Sequence, residues 1–324
     1  MLNFKILNCF SYSLIFKMYK MNKLKFPQFD TLKVSTRTFT AMTNIDINIS
    51  KLFDFLPVSD YIVIPKKRGR KRKGKVVDLN KDIKFGSIVT IKYFNQIRGV
   101  ELKPKKKGTK KCFRNSVTIV AIFDKAINFK VSKNGTFQIT GCKNIEHAEL
   151  CVKCIWEHVK NNQELYTLRY GTSLEALVIP VMRNINFSLG FLVDREKLNI
   201  YLNTNEKFHC LLETSFGHTG VNIKIPLDKD ISTMNISKIT SDSNKSMISS
   251  WKHEDSIFQE YLEYLKPKHR KAKLEDVKYN TFLVFQSGKV IMTGINEEYM
   301  RDVYEFFIEI MRECYDFIEE RLEN

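Results

Sequence analysis

No stretch of this 324-residue chain reaches the roughly 18–20 consecutive apolar residues that a membrane-spanning helix needs. The most apolar stretch near the start, residues 1–20, is broken by Lys5, Asn8 and Lys17, and no small-residue cleavage site of the secretory kind follows it. We expect residues 1–20 to be a dispensable extension, with Met21 as the working start. The short motifs of catalysis are missing too. There is no G-x-x-x-x-G-K-[ST] phosphate loop, no H-E-x-x-H zinc helix and no G-x-S-x-G nucleophile elbow. Negative charge is the scarcer sign, 36 Asp and Glu against 53 Lys and Arg. Those carboxylates gather in the terminal helices, where they read as solvated faces and helix-dipole partners. A non-enzymatic protein without a cofactor is the expectation. The cysteines number seven, an odd count in a chain of ordinary size, which makes a reduced intracellular compartment the default.

What is present is a foldable, strongly basic chain. Hydrophobic residues make up 43%, with 24 Phe and 13 Tyr, too many for a disordered polymer. The length allows one to three domains. A formal charge of +17 points to a polyanionic partner. Nucleic acid comes first, an anionic membrane second, and a merely solvated lysine surface is the bland alternative. Two loops are too charged to pack: Pro65–Lys75, with eight basic residues, and Lys103–Lys111.

Period-2 and period-3.6 patterns mark the elements. Thr31–Thr43 alternates as a β-branched strand, and Ile45–Leu56 has helical spacing closed by Pro57. Gly86–Tyr93 and Gln96–Leu102 read as a hairpin, and Asn115–Phe123, Ala126–Val131 and Thr136–Thr140 as further strands. A helix capped at Asn144 would bury Ala148, Val152, Ile155 and Val159. After a bridge at Asn161–Gly171 the order returns: a strand within Leu174–Phe187, a helix around Val193–Tyr201, and strands Phe208–Thr214 and Val221–Ile225. A polar insertion spans about 227–279, with a helical patch near Ser256–Leu265. Strands 281–285 and 289–293 lead to a closing helix after Asn296, running to about Leu322, with Met300, Tyr304, Phe307, Met311, Cys314 and Ile318 on one face.

Two segments echo each other. Asn134-Gly135-Thr-Phe-Gln-Ile-Thr140-Gly141 and Ser287-Gly288-Lys-Val-Ile-Met-Thr293-Gly294 each follow an apolar strand and precede a helix, 153 residues apart. That spacing signals a domain-scale duplication, because solenoid repeats run only about 20–50 residues. The division expected is 1–30 as an N-terminal extension, 31–165 as the first repeat with basic loops at 65–75 and 103–111, and 166–324 as the second repeat.

The run Phe282-Leu-Val-Phe-Gln-Ser-Gly-Lys-Val-Ile-Met-Thr-Gly294 resembles the strand–turn–strand signature of TATA-box-binding proteins, and 126–141 carries a weaker copy. The Met182–Phe191 and Thr219–Pro226 runs are similar to the divergent members in large DNA viruses of eukaryotes. The resemblance implies an α+β fold, a duplicated saddle with one curved antiparallel sheet and helices on its convex face. It implies a DNA-binding general transcription factor that binds and bends AT-rich duplex through the minor groove. A transcription-factor-B-like protein or RNA polymerase would be its partner, with no membrane association, and the chain would be a monomer. Its place would be the host nucleus, a cytoplasmic viral factory or the virion. The alternatives are an interaction scaffold that has lost DNA bending and a nonspecific nucleic-acid-binding protein.

Mapped through the resemblance, Phe285 falls on a wedge position that pries base steps apart. Leu283, Ile291 and Thr293 fall on the groove floor, Lys289 and Lys224 on phosphate-binding positions, and Thr140 on the counterpart of Thr293. Thr36 and Asn184 fall at the first-strand asparagine positions and Phe113 at another wedge, with His218 or Phe216 in the remaining wedge region. The first repeat departs from the pattern. Ser132 stands where its wedge would lie, Phe129 is out of phase, and Gln138 replaces an apolar floor residue. A core aromatic is the competing reading of Phe285.

Two weaker signals remain. Arg68-Gly69-Arg70 resembles the minor-groove hook that inserts arginines into AT tracts, with Lys71 where proline usually follows. Lys66–Lys75 reads as a DNA-binding arm, an import signal or a solvated loop. His147, Cys151, Cys154 and His158 could share a helix face as metal ligands. Ordinary helix packing is the stronger reading, so no metal is expected.

Overall fold

Asn280, Phe282 and Val284 are buried while Thr281, Leu283 and Phe285 between them stay half-exposed. This two-residue alternation recurs along most central strands and defines sheets with one covered face and one open face. The computed structural model describes residues 25–63, 80, 82–102, 114–204, 220–242 and 249–320, and the backbone of 209–213.

In chain order the elements are β1 (Val34–Thr43), β2 (Ile45–Ile47), α1 (Ile49–Phe55), β3 (Ser87–Tyr93), β4 (Gln96–Gly99), β5 (Ser116–Ile122), β6 (Ala126–Ser132), β7 (Thr136–Cys142), α2 (Glu146–Val159) and β8 (Tyr166–Leu168). The second half contributes β9 (Glu175–Ser188), α3 (Arg195–Asn203), β10 (His209–Glu213), β11 (Gly220–Pro226), β12 (Asn235–Ser241), β13 (Trp251–Ile257), α4 (Phe258–Glu263) and α5 (Pro267–Glu275). It closes with β14 (Tyr279–Phe285), β15 (Lys289–Gly294), α6 (Glu297–Glu313) and α7 (Tyr315–Ile318).

Contacts divide the chain into two units. One holds residues 36–181 with 230–270. Its antiparallel sheet runs β1-β7-β6-β5-β3-β4, with α1 on β3 and β5 and α2 on β6 and β7. Phe39, Ile119, Phe129, Phe137, Val152 and Ile155 build its core. The other holds 25–35, 182–229 and 271–320. Its sheet runs β9-β15-β14-β11-β10, with α3 on β10 and β11 and α6 on β15. Phe187, Ile223, Phe282, Met292, Tyr304 and Phe307 build that core. With β2, β4 and the insertion elements β12, β13, α4 and α5 set aside, strand, helix, four strands, helix is the shared order, and the first strand pairs with the last in both. The α+β duplication expected from the Thr-Gly echo is what the chain adopts. The units cut the chain elsewhere than at 165/166, because insertion residues 230–270 pack with the first repeat.

The two echo turns need glycine for the same reason. Gly135 has φ +67° and a Cβ there would lie 2.1 Å from the Ile45 carbonyl oxygen; Gly288 has φ +72° and would meet the Phe191 carbonyl oxygen at 2.0 Å. Neither the left-handed backbone nor the space admits a side chain.

Three expectations are corrected. Ile45–Leu56 is not one helix. Ile45 and Ile47 are buried in β2, paired with β8, and the helix starts only after Asn48, whose side chain accepts the Lys51 N–H. Asn144 is not the cap of α2. Ile145 holds that position without a side-chain bond, and the His147 imidazole instead takes the Lys143 N–H at 3.3 Å. The closing helix does not run to Leu322. It ends at Glu313, and α7 then turns back so that the Ile318 carbonyl accepts the Asp194 N–H and Glu320 reaches Leu192. Besides its helical patch the insertion contains a hairpin, β12 with β13, whose β12 pairs with the first half of β9.

Candidate functional site

Registers across the second unit place its open-face side chains in rows. Lys224, Thr281, Thr293 and Asn184 stand opposite one another on β11, β14, β15 and β9, and Asn222, Leu283, Ile291 and Asn186 form the next row. Beyond them Phe285 faces Gly220, and Lys289 faces Ser188. Gly220 is fitted to this: a Cβ there would lie 2.8 Å from the Leu283 side chain. A shallow concavity lined by Asn186, Phe285, Lys289 and Ile291 lies over the rows. Six residues placed here from sequence, Phe285, Leu283, Lys289, Ile291, Thr293 and Lys224, thus come together on one face, joined by Asn184.

The competing reading of Phe285 as a core residue does not fit this register. Phe282, on the opposite face, is fully buried and stacks on Phe307 with ring centroids 4.1 Å apart. Phe285 is half-exposed, outside that core.

Thr293 Oγ1 donates to Asn184 Oδ1 at 2.9 Å. The bond fixes the orientation of the amide, whose NH2 group has no protein partner among the described residues. The first unit has the same rows with different chemistry. Asn128, Thr140 and Thr38 stand where Thr281, Thr293 and Asn184 stand, and Thr118, Lys130, Gln138 and Thr40 form the next row. Thr140 Oγ1 donates to the Asn128 carbonyl at 3.1 Å. The counterpart of Asn184 is therefore Thr38; Thr36, the residue expected there, lies beyond an irregularity at Arg37/Thr38 that breaks the register. Thr36 and Thr38 share one parity, so alternation along β1 does not choose between them and only the pairing with Thr140 does. Ser132 pairs with Ser116 at the wedge-equivalent position, so apolar Phe285, Leu283 and Ile291 become Ser132, Lys130 and Gln138.

None of these open-face positions in either unit carries a carboxylate, whereas the exposed side of α6 carries Glu297, Glu298, Asp302, Glu305, Glu309 and Glu313. At the register position beside Gly220 the edge strand β10 carries Glu213. Phe113, Arg68 and Arg70, the basic segments Lys66–Lys75 and Lys103–Lys111, and Phe216 and His218 lie outside the described residues.

The cysteine–histidine face of α2 goes into packing. Cys151 is buried, and burial pushes its thiol up; Cys154 is held up to about 12 and donates to the Gly86 carbonyl at 3.4 Å. A metal needs the thiolate, which such surroundings disfavour. His147 Nε2 contacts Asp124 Oδ1 at 2.7 Å, and burial holds His158 below its usual pKa. Among the described residues no group of three or more His, Cys, Asp or Glu could hold a metal ion, and no helix is long and apolar enough to cross a membrane.

No known family profile matches the chain. Over 284 residues, 86% of this chain and 83% of the relative, it is 27% identical to the uncharacterized protein 335L of Invertebrate iridescent virus 6. Among solved structures, the Methanococcus jannaschii TBP aligns with 89% of this chain and 99% of its own length at 12% identity and a TM-score of 0.42. Over 171 residues it is 32% identical to a TATA-box-binding protein-like protein of Acanthamoeba polyphaga mimivirus, spanning 44% of this chain and about half of that one, 47%. The resemblance read from the Thr-Gly echo is thus matched by a viral relative: this chain is similar to a TATA-box-binding protein-like protein of a large DNA virus.

Proposed function

We propose that the chain binds duplex DNA along the open faces of its two repeats and bends it, acting as a transcription-initiation factor by binding and not by catalysis. The observation that supports this best is the composition of the open face. Among the side chains described, the named rows carry no carboxylate, they bear Lys130, Lys224 and Lys289, and their centre is made of Thr, Asn and aliphatic side chains. An A·T minor groove offers acceptors and a smooth floor. The oriented Asn184 NH2 supplies a donor, Leu283 and Ile291 a smooth contact, and the lysines meet phosphates. Phe285, at the end of its row, is placed to wedge between base steps, the device by which minor-groove proteins kink a duplex.

In this reading the Lys66–Lys75 and Lys103–Lys111 segments add sequence-independent phosphate contacts. The acidic outer side of α6, with exposed Phe306, would present itself to a transcription-factor-B-like protein or to the polymerase. One observation favours a second reading. The polar first-unit row, Ser132 with Lys130 and Gln138, lacks a wedge among the described residues, as an interaction scaffold that binds DNA without bending it would. A permuted-duplex bending assay on AT-rich DNA distinguishes the two. A position-dependent mobility shift supports the bending factor, and uniform mobility with retained binding supports the scaffold.

A further inference from the structure

The insertion ends in a helix unlike the others. α2, α3 and α6 each bury an apolar stripe, but α5 (Pro267–Glu275) buries none of its residues. Within its nine residues it carries Lys268, Arg270, Lys271 and Lys273 against a single acid, Glu275, and Lys266 precedes it. A helix this short is marginal in water without packing, since isolated helices need about 12–15 residues. Its cations also repel one another at helical spacing, Lys268 with Lys271 and Arg270 with Lys273 at i,i+3, and Lys266 with Arg270 at i,i+4.

One cation has a structural task. Arg270 Nε donates to the Leu262 carbonyl at 2.8 Å and Nη2 to the Glu263 carbonyl at 2.9 Å, which staples α5 to the end of α4. The other cations are exposed, and Lys273 lies near enough to Asp276 to help lower its carboxyl pKa. Lys266 and Lys268 have no carboxylate partner among the described residues, and Lys271 meets only exposed Glu275 at 3.6 Å. A pair that open contributes little neutralisation. An anion with regularly spaced charges would relieve the repulsion along the whole helix.

The place of α5 indicates which anion. Only residues 276–278 separate it from β14, the strand that bears Leu283 and Phe285, and the Leu227 N–H donates to the Lys278 carbonyl at 2.7 Å where β11 ends. α5 therefore enters the second-unit sheet at the end where Lys224, Thr281, Thr293 and Asn184 lie, away from Phe285. We infer that α5 is a second DNA-contacting element, its lysines gripping backbone phosphates that flank the segment held by the open face. The inference rests on the duplex-binding reading above and adds to it a phosphate clamp carried by the insertion.

The test uses the full chain with Lys268→Gln, Lys271→Gln and Lys273→Gln combined, leaving the Arg270 staple intact. Affinity for an AT-rich duplex is measured across a salt series, beside bending of the permuted duplex. The combined variant should lose roughly 2–3 units from the log-affinity against log-salt slope, at ~0.9 per phosphate contact, and keep the wild-type bend angle. The matching three Lys→Arg changes should keep the slope. An unchanged slope in the Gln variant, with circular dichroism showing wild-type structure, overturns the inference while the duplex-binding reading stands. The same applies if the variant loses only sedimentation with phosphatidylserine–phosphatidylcholine vesicles. A wild-type protein that fails to bind duplex at all defeats the underlying reading instead.

Discussion

Phe282 and Phe285 are three residues apart on one strand and belong to opposite faces, the first stacked on Phe307 in the core and the second half-exposed beside Lys289 and Ile291. Their substitutions should therefore separate. Phe282→Ala empties a packed site and should cost about 3–5 kcal/mol of stability. Phe285→Ala should cost less than about 1.5 kcal/mol, in the range of partly exposed changes. Paired denaturant melts check this, and equal losses would return Phe285 to the core.

The two echo turns give a second expectation. Gly288→Ala must place a Cβ against the Phe191 carbonyl in a left-handed conformation, and Gly135→Ala does the same against Ile45. The backbone term alone is roughly 1–2 kcal/mol, so each variant should lower the urea midpoint by more than that term requires. Gly190, also at positive φ but with nothing within 4 Å of its Cβ, is the control and should show the backbone term alone.

Much of this was legible in the residues, because alternation and turn glycines are local. Asn134-Gly135 and Ser287-Gly288 announced two hairpins, and the parity of Phe282 against Phe285 announced two faces. What escaped depended on partners distant in sequence. β2 exists because Tyr166–Leu168 pairs with it, and Ile45 and Ile47 read equally well as the start of a helix. The insertion hairpin survives its polar composition because β12 finds the edge of β9. Thr38 was hidden because its pairing with Thr140, and not the alternation it shares with Thr36, picks it out, and the break after Glu313 was hidden by contacts that α7 makes with residues 192–194.

The Thr293–Asn184 bond orients the one asparagine amide in the second-unit row that faces Lys224. Thr293→Val, Asn184→Ala and the double variant should give a coupling of about 0.5–1.5 kcal/mol in stability, the range of a single hydrogen bond. In duplex binding the coupling should be larger for A·T-rich than for G·C-rich DNA, since it is the A·T groove that presents acceptors alone. A coupling near zero in both assays would remove Asn184 from the site.

Four of the seven cysteines, Cys142, Cys151, Cys154 and Cys314, are described, free and largely buried. Burial raises Cys142 from 9.0 to about 11 and Cys154 and Cys314 to about 12. A thiol reagent at neutral pH should leave these four unmodified until the chain unfolds. Because the folded pKa is raised, the unfolded chain gives up these protons first. The stability they contribute is complete below pH 9 and should drain away as the pH climbs from there through the folded values. Rapid modification of Cys151 in native protein, read by mass spectrometry, would contradict this packing.

Bending of DNA by the open face is proposed to depend on Phe285, and bend angle is the quantity that decides it. Wild-type protein and Phe285→Ala are compared on a permuted AT-rich duplex at several salt concentrations, with the melt of each protein recorded alongside. The variant should fold and its bend angle should fall clearly. Its salt-dependent affinity should change little, because unstacking a base step depends on the wedge and affinity depends on the lysines. A wild-type bend from the folded variant, or no bend from the wild-type protein, would contradict it.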